Sequence, residues 1–92
     1  MLTYKTYEKL DKLAFEYVSD KYDYCGVFCN NNTLNSLLRG ETTKQKIYEK
    51  HLDYVTELIC KYADFAKVVE ENKWYGKLLI KYNYLTEQYL DD

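Results

Sequence analysis

Apolar residues return every three or four positions along most of this chain, and that period admits little besides amphipathic helices. Tyr7, Leu10, Leu13, Ala14, Tyr17 and Val18 form one stripe, with Glu8 and Lys12 a favourably ordered pair on the surface. The spacing predicts a helix over 3–21. From Thr42 or Thr43, both natural N-caps, a second helix is expected to run unbroken to Glu71. On a wheel of about 100° per residue, Ile47, His51, Tyr54, Val55, Leu58, Ile59, Tyr62, Phe65, Ala66 and Val69 share one side. That arc covers nearly half the circumference, wider than a helix with one neighbour requires. The helix over 43–71 should therefore be central.

Asn72 interrupts the pattern, and Trp74, Tyr75, Leu78, Leu79, Tyr82, Leu85 and Tyr89 restore it over 73–90. Leu78, Ile80, Tyr82 and Tyr84 would also line one face of a strand, but the length favours a helix. Gly26 and the Asn30-Asn31-Asn32 run mark a turn. Asn32 or Thr33 can cap a short helix near 33–39, and Gly40 suits its C-terminal cap. The expected fold is all-α: one domain, 1–92, built as a small bundle of three long helices and one short one.

Charge excludes several function classes. Thirteen basic residues face 15 acidic ones, and the two signs are mixed along the chain. No basic stripe suited to a duplex backbone emerges. Apolar runs such as Leu78-Leu79-Ile80 are far shorter than the roughly 20 residues that span a bilayer, and the N-terminal residues lack a signal peptide's apolar core. A soluble, cytoplasmic protein without duplex nucleic acid or membrane as partner is expected. Twelve lysines against one arginine, abundant Asn and Tyr and no proline suggest AT-rich coding, as in a virus, phage or other mobile element, or an AT-rich bacterium. For a viral chain the expected location is the host cytoplasm.

Cys25, Cys29, Cys60 and His51 invite a Cys3His zinc site. On one continuous helix His51 and Cys60 are separated by roughly 900° of rotation and point to opposite faces, and no C-x2-C pair is present. No metal and no cofactor are expected. Within a helix, residues four apart carry Cβ atoms about 5–6 Å from one another, against the ~3.8 Å of a disulfide; in a loop that objection lapses. Three free thiols are the simpler expectation. His51 falls inside the apolar arc, which suits a hydrogen-bonded core histidine better than a general base.

Catalysis has no visible apparatus. There is no nucleophile–base pair, carboxylate pair or phosphate loop, and Arg39-Gly40-Glu41-Thr42-Thr43-Lys44 does not match the Walker pattern. Helix N-terminal amides flanked by Arg39 and Lys44 form a candidate anion site. The helix–Gly–helix arrangement around Gly40 suggests a helix-turn-helix, but Glu49, Asp53 and Glu57 on its second helix suit a major groove poorly. In the C-terminal segment, Ile80 and Tyr84 project away from the main stripe, bordered by Lys77 and Lys81. An adjacent apolar pair beside charge makes a candidate epitope for a protein partner.

The expected function is therefore a small non-catalytic protein-binding module, such as a virus- or phage-encoded inhibitor or modulator of a host factor. Surplus apolar surface on so short a chain also predicts a homo-oligomer. The alternative is a nucleotide-binding or sequestering helical oligomer, its tyrosines stacking a base while Arg39 and Lys44 hold phosphate.

Overall fold

The computed structural model describes residues 3–82, with side chains placed from Thr3 to Leu78. Among these the fold is all-α, as the period predicts. Five helices follow in order: α1 (Tyr4–Val18), α2 (Asn31–Leu38), α3 (Lys44–Tyr62), α4 (Phe65–Glu71) and α5 (Lys73–Tyr82), with a 3-10 turn at Val27–Cys29. No helix of the described residues is long and apolar enough to cross a membrane.

The main packing is α1 along α3. Tyr7, Leu10, Leu13, Ala14 and Val18 are buried against Ile47, Val55, Leu58 and Ile59. Burying such side chains stabilises by about 1.5–3 kcal/mol each before the entropy of ordering is subtracted. Tyr48 is buried too: it stacks on Tyr7 (centroids 6.4 Å apart, planes at 11°) and meets Phe28 edge-on at 5.0 Å. Conversely Tyr54 and Ala66, inside the arc, are exposed. The true buried face of α3 is rotated slightly toward Tyr48 because the 23–30 segment also covers it.

The long helix expected over 43–71 is broken. Ala63 is extended (φ −102°, ψ 162°), and Asp64 accepts from the Lys67 amide at 3.4 Å to cap a new helix. The break resets the helical phase. Val68, which a continuous wheel leaves outside the apolar side, becomes fully buried in α4. Phe65 turns inward and meets Tyr75 of α5 edge-on at 6.1 Å.

Boundaries elsewhere shift modestly. Helix α1 stops at Val18 rather than residue 21. Helix α2 begins at Asn31, because Asn30, rather than Asn32 or Thr33, is its cap and accepts from the Asn32 amide. Gly40 (φ 74°) ends α2 as expected, with the Gly40 amide on Leu37 O and the Glu41 amide on Ser36 O. That paired arrangement satisfies two carbonyls of the last turn and requires a left-handed residue. Thr43 caps α3 through its hydroxyl, which accepts from the Lys46 amide at 3.2 Å. The C-terminal segment is helical from Lys73 to Tyr82, so Leu78 lies on a helix; the expected continuation to residue 90 lies outside the described residues.

The expectation of three free thiols is corrected. Cys25 and Cys29 are joined in a disulfide, with Cα atoms 6.1 Å apart. Cys25 stands outside any helix, before Gly26 (φ 109°), so the helical spacing that kept the thiols apart does not hold there. Cys60 takes no part in this bridge and is half-buried against the core.

Candidate functional site

Asp11 organises one side of the molecule. It interrupts the apolar stripe of α1, and both its oxygens accept from the Val27 amide, at 3.1 and 3.3 Å. The Tyr24 hydroxyl donates to it as well. These bonds fasten the irregular 23–29 segment across α1 and α3. Desolvation raises the Asp11 carboxyl above its ordinary range, partly opposed by the Val27 amide and by His51. Burial, with the nearby charges of Asp11 and Glu8, pushes the Tyr48 phenol up to about 12.

Held by that clasp, the segment after α1 presents tyrosines against the outer face of α3. Tyr22 lies 5.1 Å from Tyr62, and Tyr24 lies 6.3 Å from Tyr54. Partial burial raises the Tyr54 phenol, helped by a hydrogen bond shared with Tyr22. Lys61 sits over the Tyr62 ring at 5.7 Å. Tyr22 and Tyr54 remain about 38% and 43% exposed, so the cluster is a surface feature with a shallow hollow of about 110 Å³ beside it.

A larger concavity, about 480 Å³, opens between α2 and α3. Helix α3 contributes Lys46, Ile47, Lys50 and His51. Facing them are Asn32, Thr33 and Ser36 of α2, with Asn30 and Thr42 at its margins. His51 is half-buried at this edge rather than enclosed in the core. Its Nδ1 lies 3.0 Å from Ile47 O. A carbonyl only accepts, so Nδ1 carries the hydrogen.

The residues singled out from the sequence are dispersed. Arg39 grips Glu41, Nε at 2.9 Å from a carboxylate oxygen, and both are exposed. Lys44 opens α3, while the cations lining the cleft are Lys46 and Lys50. Lys77 is exposed on α5; the side chains of Ile80 and Lys81, and all of Tyr84, lie outside the described residues. Among the described residues no group of three His, Cys, Asp or Glu side chains is placed to hold a metal ion.

Sequence reasoning missed Asp11, the tyrosine cluster and the cleft. Asp11 had a signal: a carboxylate four residues after Tyr7 and three before Ala14, on the buried stripe itself. Lys46 and Lys50 share a face of α3 beside His51, also visible as spacing. The tyrosines gave no local signal, since their meeting depends on how residues 19–24 turn back. Comparison with family models, curated proteins and solved structures finds no match to this chain.

Proposed function

We infer that the chain is a small non-catalytic protein-binding module. The observation that supports this reading is the exposed tyrosine cluster of Tyr22, Tyr54 and Tyr62. Tyrosine offers a large, rigid, amphipathic contact with few rotors to freeze, and it is enriched at interfaces and their hot spots. Here the rings are already held by one another and by the Asp11 clasp, so little ordering remains for binding to impose. Lys61 and Glu57 border the patch and supply a polar rim. The chemistry-bearing groups have other engagements: Cys25 and Cys29 bond to each other, and His51 Nδ1 bonds to a backbone carbonyl. Modulation of a host factor and self-association are the finer parts of the same reading.

The test is affinity capture from the source cells with the wild-type chain and with a Tyr22→Ala, Tyr54→Ala double variant whose helical circular dichroism is unchanged. A defined protein retained by the first and lost by the second is the expected result. The same proteins retained by both, or none by the wild type, would set the reading aside.

A further inference from the structure

We propose that the cleft between α2 and α3 binds a small hydroxylated phosphate of the sugar-phosphate class. Its volume, about 480 Å³, falls within the roughly 300–1,000 Å³ of small-molecule sites. Its two walls differ in chemistry. On α3, Lys46 and Lys50 stand one turn apart on the same face, and neither has a carboxylate within ion-pair distance among the described residues. Glu49, between them in sequence, accepts from Gln45 instead. Two cations one turn apart match the several oxygens of a phosphate.

The α2 wall bears no charge at all, the helix reading Asn-Asn-Thr-Leu-Asn-Ser-Leu-Leu. Thr33 and Ser36, with Thr42 beyond the turn, offer hydroxyls that both donate and accept. Such groups complement the hydroxyls of a sugar. The lining holds one apolar residue, Ile47, and no aromatic ring besides the His51 imidazole. A nucleobase would find no tyrosine, tryptophan or phenylalanine there to stack on, and the clustered tyrosines lie on a different surface. The chemistry therefore favours a sugar phosphate over a nucleotide held through its base.

His51 completes the α3 wall, its Nδ1–H turned to the Ile47 carbonyl.

The probe is ribose 5-phosphate, titrated into the labelled full chain and followed by amide chemical shifts. Saturable shifts confined to residues 30–36 and 42–51, with a Kd of about 1 mM or tighter, are expected, and free ribose should give none. Lys46→Ala with Lys50→Ala should weaken binding about tenfold or more while circular dichroism stays unchanged. No saturable shift up to about 20 mM, or binding indifferent to the lysine pair, overturns the proposal. So does a response to a single-stranded oligonucleotide or to phosphatidylserine vesicles with none to the sugar phosphate.

Discussion

At the scale of single residues, Asp11 fastens the 23–29 segment to α1. Its carboxylate is the acceptor for the Val27 amide and the Tyr24 hydroxyl. Asp11→Ala leaves both donors partly buried without a partner, a loss of about 2–3 kcal/mol by urea unfolding; Asp11→Asn, which keeps one acceptor oxygen, should lose less. The pH dependence has a definite sign. Because desolvation raises the native carboxyl above 3.8, the folded chain binds this proton more tightly than the unfolded one. Its contribution is then largest below 3.8 and declines as pH rises through the native value. The stability of wild type relative to Asp11→Asn should accordingly fall between about pH 3 and about pH 6; a rise would show that the hydrogen bonds outweigh desolvation. Tyr75 presents the opposite case. Its ring is fully buried and its hydroxyl has no hydrogen-bond partner among the described residues. Burial pushes that phenol well above its ordinary range. Removing an unsatisfied polar atom should be neutral or stabilising, so Tyr75→Phe is expected to raise stability by as much as about 1 kcal/mol. A loss above that size would mean that the hydroxyl has a partner beyond residue 82.

At the scale of elements, the break between α3 and α4 is the feature that shapes the C-terminal half. Two extended residues, Ala63 and Asp64, replace a turn of helix, and the Asp64 side chain caps α4. The break allows Phe65 and Val68 to face inward together, and α4 then packs on α5. The Tyr17 hydroxyl donates to Glu71 and ties α1 to the end of α4. Asp64→Ala should lower stability by about 1 kcal/mol, the ordinary value of a lost N-cap. Were the break incidental, a chain repaired toward continuous helix would instead be unchanged or more stable, and thermal unfolding distinguishes the two.

At the scale of the whole molecule, apolar surface remains uncovered. Phe15 is 51% exposed and Leu38 83% exposed, in addition to the tyrosine cluster. Isolated exposed residues of this kind are ordinary, but so many on 92 residues favour association, by which small domains gain burial. Sedimentation at about 50 µM should show a particle larger than the 11.1 kDa chain, held by an interface of roughly 1,600 Å². A single species of chain mass would end the oligomer reading and leave the tyrosine cluster for a different partner.

Local chemistry by itself determined the all-α class and several helix ends. The stripe of α1, the Thr43 cap, the Gly40 stop and the Asn72 interruption each depend on residues within a turn or two, and each stands where the period and capping rules put it. The features that only the tertiary structure decided depend on residues far apart in sequence. A wheel assumes constant phase, so it could not show that Val68 rather than Ala66 is buried once Ala63 and Asp64 leave the helix. The disulfide, too, depends on a loop conformation that Asp11 holds from 16 residues away. The tyrosine cluster and the cleft likewise arise where two segments meet, and side chains on either one carry no local record of the other.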